Sequence, residues 1–595
     1  MPLAPEPADD DASPRLTWAE DGAPRSGRFG DVYFSADDGL AESRAVFLQG
    51  CDLPRAWTGR ATFTVAELGF GTGLNILALL DLWRREGPKN ARLHVFTVEG
   101  FPLSRDEAAR ALAAWPELAE IAAILLDCWP SRGAGVHRID LPGFNAVIEV
   151  AVGEVVDALA AWTSHADAWF LDGFSPALNP GMWSDPVLDL IAARSAPGAR
   201  LATFTVAGFV RRGLTQRGFQ IDKRPGHGRK RERLEAVRRP TVAVIGAGIA
   251  GASVARAMIA AGCVVTVVEA DQPGAGGSGF PAALVTPRLD AGDVGIASFH
   301  AQALDRARAL YAAVPDAIVA EGVVQLHQTD RDAARFDKIA AQPGWSPGNM
   351  AVIDVAEATA RLGEGTGTGG LLMAGALAVA PAPILSAWLE GARRVSGSVA
   401  AITPGESGGW WLTDPDGIVL AEVESVVITA GWGAAALAPH LDLRPVRGQA
   451  SWVEGVTTPA VAWGGYAVPT TDGLLFGATH DRDDIGTDVR PADTDRNLQT
   501  LAARLPRLAA AVTDRSIQAR AAVRATTRDR LPVCGVLSDQ PGLFVLGGLG
   551  SRGFCVAPLL GEHIAALVTG ATSPLADNMA ERLAPKAHRQ AKPIL

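Results

Sequence analysis

Short runs of β-branched and aromatic residues alternate along this chain with longer Ala/Leu-rich stretches. That alternation predicts parallel strands linked by helices. Phe63–Leu68 reads as a strand, Gly69–Gly73 as a turn and Leu74–Trp83 as an apolar helix. A second strand, His94–Val98, ends at Glu99, and further strands fall near Asn145–Val150, Ala168–Leu171 and Arg200–Thr205. The pattern decays over a basic stretch near residues 222–239, which reads as a linker, and then restarts. Thr241–Ile245 is a second opening strand, Gly246–Gly251 a glycine turn and Ala252–Ala261 a small-residue helix. Val264–Val268 follows as a strand ending at Glu269. Farther on, Glu321–Gln328, Gly409–Thr413 and Ser451–Glu454 predict antiparallel strands of a substrate-binding sheet. The fold class is α/β, with a first domain over 1–235 and a second over 240–595.

Composition fits that division. At 595 residues the chain is longer than one hydrophobic core supports, and 48% hydrophobic with 20% charged residues is the balance of a globular protein. The five cysteines are scattered with no Cys-x-x-Cys pair, so neither a disulfide framework nor a zinc site is expected. No run approaches the length of a membrane span, and residues 1–15 lack the basic start and apolar run of a signal peptide. A cytoplasmic monomer holding no metal is expected. Net charge is −11, yet eleven arginines and lysines crowd between Arg211 and Arg239. Such a stretch is either a solvated linker or a phosphate-contacting surface; composition alone leaves both open.

The glycine turns carry the chemistry. Gly246-x-Gly248-x-x-Gly251 lies between a strand and a helix, with Glu269 ending the next strand. Gly246 permits the tight turn, Gly248 lets the backbone approach a pyrophosphate, Gly251 allows close helix packing and Glu269 accepts from ribose hydroxyls. In the first domain Glu67-x-Gly69-x-Gly71-x-Gly73 also follows a strand, with Glu99 at the tip of the next one. That pattern suits either a dinucleotide or S-adenosylmethionine. The segment Trp169–Trp183 favours the methyl donor, because Asp172 at a strand end precedes an aromatic and proline-rich loop suited to a planar base and an amine.

Residues 240–570 resemble the D-amino-acid oxidase and glycine oxidase family. The likeness rests on the Gly246 turn, Gly274–Gly279, Val426–Gly431, Tyr466–Gly473, Ala522–Asp529 and Gly547–Gly553. It implies a GR2-type FAD-binding domain, with Gly277, Ser278, Gly431, Gly550, Ser551 and Gly553 lining the flavin. It further implies Arg524 and Arg552 as carboxylate-binding residues with Tyr466 beside them. The planar fork of arginine matches a carboxylate with two parallel bonds. The first domain resembles class I methyltransferases of Rossmann-like fold. Phe29–Ser35, the Asp172 loop and Gly228–Glu232 together resemble the bifunctional tRNA 5-methylaminomethyl-2-thiouridine biosynthesis family, in the same domain order. That resemblance implies FAD and S-adenosylmethionine as cofactors and tRNA as partner. Glu154 would take the adenine amino group, Asp172 would orient or deprotonate the acceptor amine, and Phe174 and Trp183 would stack on the base. Arg229, Lys230 and Arg231 would form the tRNA footprint. The family commonly has lysine where Leu178 stands and Asp where Glu154 stands. The alternative reading is an oxidase of free amino acids or small amines fused to a small-molecule methyltransferase.

Overall fold

The computed structural model describes residues 13–585 apart from 20–21, 35–37, 229, 406–408 and 538–540, and divides into Met1–Pro240 and Thr241–Leu595. The first unit opens on a hairpin of β1 (Leu16–Trp18) and β2 (Pro24–Ser26). Its main sheet has eight strands: β3 (Thr62–Leu68), β4 (Arg92–Glu99), β5 (Gly135–Leu141), β6 (Ala146–Val152), β7 (Ala166–Leu171), β8 (Ser195–Thr203), β9 (Phe219–Pro225) and β10 (Glu232–Arg238). Their order is β5-β6-β4-β3-β7-β8-β10-β9, and the run from β6 to β8 is parallel. Strand residues alternate between two cores, as side chains of an extended chain must. Val65, Val95 and Phe170 face one core, while Ala66, Phe96, Trp169 and Leu171 face the other. Burial on both faces explains why these strands read as continuous apolar runs.

The stretch near 222–239 is no linker. It is the β9–β10 hairpin, antiparallel within itself and against β8. Leu234 and Ala236 enter the core, whereas Arg233 and Glu235 point outward. The two apolar positions carry the period of a strand; the charged residues between them masked it.

In the second unit a six-stranded sheet is centred on β11 (Thr241–Ile245) and β12 (Val264–Glu269), flanked by Arg393–Ser396, Ser425–Ile428, Leu543–Gly547 and Val533–Val536. Only the last of these is antiparallel to its neighbour. The helix after β11 spans Ile249–Ala260, starting three residues before its expected position. It crosses the helix Gly553–Thr569. A Cβ on Gly561 would lie 2.7 Å from the Ser253 backbone, so glycine sets how closely the two helices approach. A ten-stranded, largely antiparallel sheet contains Ile318–Leu326 and Arg444–Glu454, the expected strands near 321 and 451. Trp410–Thr413 departs from expectation: it lies in a separate three-stranded sheet with Ala401–Pro404 and Val419–Val423. There Trp410 and Leu412 share a hydrophobic cluster with β11 residues Ala243 and Ile245.

Candidate active sites

In the first unit the ends of β3, β4, β6 and β7 open on a cavity of about 1060 Å³. Gly69, Gly71 and Gly73 all adopt positive φ (94°, 51° and 78°), a region that favours glycine. Gly69 and Gly71 line the cavity, as do Glu99, Gly153 and Glu154. Glu99 accepts from the Gly71 and Phe101 backbone N–H groups, both at 2.9 Å, while burial pushes its proton affinity up. Gly73 faces away, with Leu125 and Trp129 against its Cα; it serves as the cap of helix Leu74–Glu86 and does not face the cavity. Glu67 also departs from expectation. It is buried beneath the loop, and its carboxyl accepts from Asn75 Nδ2 at 3.1 Å and Thr97 Oγ1 at 2.8 Å. Those partners turn it inward, below the donor loop.

Asp172 ends β7 and faces the cavity. Asn75 Nδ2 donates to its Oδ2 at 2.5 Å. Burial pushes Asp172 up to about 7, opposed by the Asn75 hydrogen bond and then by the Lys230 charge. Burial, reinforced by Asp172, pushes Glu67 up to about 8. Phe174 lines the cavity, with Phe29 at 5.1 Å and Tyr33 at 5.3 Å between ring centres. Asp31 accepts from the Ser175 N–H at 3.0 Å, fixing the segment Phe29–Tyr33 to the Asp172 loop. Trp183 does not stack in the cavity: it is buried among Leu171, Val187 and Leu201 and donates to the Phe174 carbonyl at 3.0 Å. Its role is to shape the loop from behind.

Lys230 and His227, from the β9–β10 turn, reach the cavity. Lys230 pairs with Glu42 at 2.8 Å and stands 3.5 Å over the Phe204 ring. Much of the basic stretch is neutralised locally: Lys223 pairs with Glu232, Arg224 with Asp222, Arg233 with Glu235, and Arg217 with Asp185 and Asp189. Arg231 is exposed, and Arg229 lies outside the described residues.

In the second unit the Gly246 turn has the shape a pyrophosphate needs. A Cβ on Gly251 would fall 1.8 Å from the Gly246 carbonyl, and one on Gly246 would lie 2.9 Å from the Thr429 carbonyl. Gly248 lies against Ser278, whose Oγ accepts from the Ile249 N–H at 3.0 Å. Glu269 accepts from the Ala247 N–H at 2.6 Å, and open space lies beside Gly276, Gly277 and Gly431. These residues fit a dinucleotide: a close-packed turn at a helix start, an acid at the next strand end and bare glycines alongside.

Arg520 was missed in the sequence. Its guanidinium donates to the carbonyls of Gly279 (2.7 Å), Gly274 (3.1 Å), Gly276 (3.2 Å) and Ala275, holding the loop that carries Gly277 and Ser278. Nothing in the local pattern marks it, because its partners lie some 240 positions away. Arg552 caps helix Gly553–Thr569, half-buried, and donates to Thr286 Oγ1; burial lowers its proton affinity. Nearby His300 is buried, and burial together with the Arg552 charge pushes it down to about 3. Arg524 lies over Gly448, where a Cβ would come within 2.5 Å of the guanidinium. Its charge opposes the effect of burial on Tyr466. The Gly550 N–H donates to Ala525 O at 3.0 Å, so the loop Gly547–Gly553, with Ser551 exposed in it, runs beside the Arg524 strand.

Residues 241–567 match the FAD dependent oxidoreductase family, and residues 116–239 match an S-adenosyl-L-methionine-dependent methyltransferase family. The tRNA 5-methylaminomethyl-2-thiouridine biosynthesis bifunctional protein MnmC of Caulobacter sp. strain K31 is 57% identical over 96% of both chains. Its counterpart in Caulobacter vibrioides is 56% identical over the same shares. Among solved structures, glycine oxidase from Geobacillus kaustophilus superposes with TM-score 0.51 at 22% identity, covering 59% of this chain and 99% of its own. That likeness shows the fold of the second unit.

Proposed function

The chain belongs to the family of bifunctional tRNA 5-methylaminomethyl-2-thiouridine biosynthesis proteins, MnmC, and on that premise we propose that it makes two consecutive changes to a tRNA wobble uridine. In the second unit the carboxymethylaminomethyl side chain loses two electrons and two protons at its C–N bond, and water hydrolyses the imine, leaving an aminomethyl group and releasing the two-carbon fragment as glyoxylate. In the first unit that amine receives the methyl group of S-adenosylmethionine. The observation that carries the reading is whole-length identity of 57% to a protein holding both enzymes in one chain.

Gly246, Gly248, Gly251 and Glu269, with Gly277, Ser278, Gly431, Gly550, Ser551 and Gly553 alongside, would hold FAD, which when bound would supply the two-electron acceptor. The chain's own residues orient the substrate. Arg552 binds the carboxylate through its planar fork, held in place by Thr286. Arg524 adds a second positive charge, and Tyr466 stays protonated as a donor because burial raises its pKa. His300 stays neutral near Arg552, so it adds no competing charge.

In the first unit Gly69 and Gly71 receive the amino-acid part of the methyl donor, Glu99 the ribose and Glu154 the adenine. The acceptor arrives mostly as an ammonium ion. Asp172 removes one proton; the freed nitrogen pair attacks the methyl carbon as the carbon–sulfur bond breaks toward sulfur. The cationic donor becomes a neutral thioether, and the product leaves as a secondary ammonium. A carboxyl near pKa 7 suits that proton transfer at neutral pH. Phe174 packs on the uracil ring. The basic residues Arg229, Lys230 and Arg231 contact the tRNA backbone. The protein acts as a cytoplasmic monomer; no helix among the described residues is long and apolar enough to cross a membrane.

The test is nucleoside mass spectrometry of tRNA carrying the carboxymethylaminomethyl group after incubation with the purified protein. Aminomethyluridine should appear without methyl donor, and methylaminomethyluridine with it. Oxidation of free glycine with the tRNA unchanged would overturn the proposal.

A further inference from the structure

Two buried carboxyl groups in the first unit share one amide. Asn75 is the second residue of helix Leu74–Glu86, 7% exposed, amid Leu74, Ile76, Leu77 and Ala78. Its Nδ2 donates to Asp172 at 2.5 Å and to Glu67 at 3.1 Å, and its Oδ1 accepts from Ser43 Oγ at 2.6 Å. Thr97 holds the other Glu67 oxygen at 2.8 Å. Both amide protons are therefore committed, one to each carboxyl, and the side chain cannot rotate without breaking three bonds. A neutral amide brings geometry without charge. An arginine or lysine here would pin Asp172 as a permanent carboxylate of low proton affinity, whereas no donor would leave it a buried neutral acid. The other charges felt by Asp172 are Lys230, which favours its ionised form, and Glu42 and Asp31, which oppose it. Glu67 lies buried beneath the loop, and Asp38, Glu99, Glu154, His227 and Arg28 are further charged or titratable groups that line the cavity.

We propose that Asn75 is a positioning residue for methyl transfer, holding Asp172 in the orientation and ionisation state from which it takes the proton of the acceptor amine, with Ser43 and Glu67 fixing the amide. The proposal rests on Asp172 being the base. Asn75 and Ser43 line the same cavity as Asp172, and the role assigned to Asn75 runs through its bond to Asp172 Oδ2.

The experiment is a pH profile of single-turnover methyl transfer to aminomethyl-bearing tRNA, for the full chain and its Asn75→Ala variant. Losing the amide donor disfavours the carboxylate of Asp172, so the acid limb should move to higher pH by about one unit. The rate should fall about tenfold at pH 6.5 and recover to within about threefold at pH 8.5. The acceptor amine titrates equally in both proteins, so it does not contribute to the difference. Binding of S-adenosylhomocysteine, measured by calorimetry, shows whether the cleft survives. Should Asn75→Ala lose that binding, Ser43→Ala, which leaves the amide but frees its oxygen, should show a smaller shift of the same sign. A loss equal at every pH with binding intact, or no shift in Ser43→Ala when Asn75→Ala does not bind, overturns the proposal. Asp172→Asn separates the two ideas. If that variant keeps the wild-type profile, the assignment of the base fails; if it is inactive while Asn75→Ala is unshifted, only the role of Asn75 fails.

Discussion

Burial without a directly bonded cation is what gives Asp172 its proton affinity near neutrality. Asp172→Asn should lower methyl transfer by at least about 100-fold while aminomethyluridine still forms, which nucleoside chromatography resolves. Glu67 offers a stability prediction. Its folded pKa is raised from an ordinary 4.5 to about 8, so between those values the native state binds more protons than the unfolded chain. Stability from this group therefore falls as pH rises through that window. Glu67→Gln should raise the unfolding temperature of the first unit more at pH 8 than at pH 5; calorimetry showing an equal change at both would reject this. At the oxidative site, Arg552→Lys keeps the charge but loses the fork, and should cut kcat/KM for the carboxymethyl substrate about 10- to 100-fold. The acid at the end of β7 was legible as a polar residue closing an apolar strand. Asn75 was legible only as a polar interruption near the start of an apolar helix, and its partners at 43, 67 and 172 are far apart in sequence. Trp183 was misread because an aromatic beside a site loop has the same sequence signature whether it faces ligand or core.

Among the elements, the glycine turns and the strands that precede them were readable because each is local. A strand, a positive-φ turn and a helix start occupy about a dozen neighbouring positions, and their chemistry is written there. The β9–β10 hairpin was not, since only alternate residues are apolar and its outward face is charged. Its ion pairs also change the expectation for tRNA: paired side chains offer less free charge than a bare count suggests. Charge reversal at the exposed Arg231 should weaken tRNA binding and flatten its salt dependence, whereas reversal at the paired Arg233 should matter less; filter binding across salt concentrations would show it. The loop Gly274–Gly279 depends on a distant strand through Arg520. Arg520→Met should release FAD more readily than wild type, read as flavin fluorescence appearing on dilution, because a freed loop must be ordered each time the cofactor binds.

For the molecule as a whole, each hydrophobic cluster among the described residues draws its members from one unit alone. A fragment over 241–595 should therefore fold and bind FAD, giving a yellow protein, and one over 1–240 should bind S-adenosylhomocysteine; insoluble fragments would contradict this. The sequence by itself determined two α/β units, their order, their glycine turns and the acids at the strand ends, because patterns of period two and short motifs act between near neighbours. Only the tertiary structure decided which of those acids faces a cavity, which aromatic lies behind the loop, and which cations are already paired. Those outcomes depend on side chains brought together across tens or hundreds of positions, where burial and a single hydrogen-bond partner settle what a residue can do.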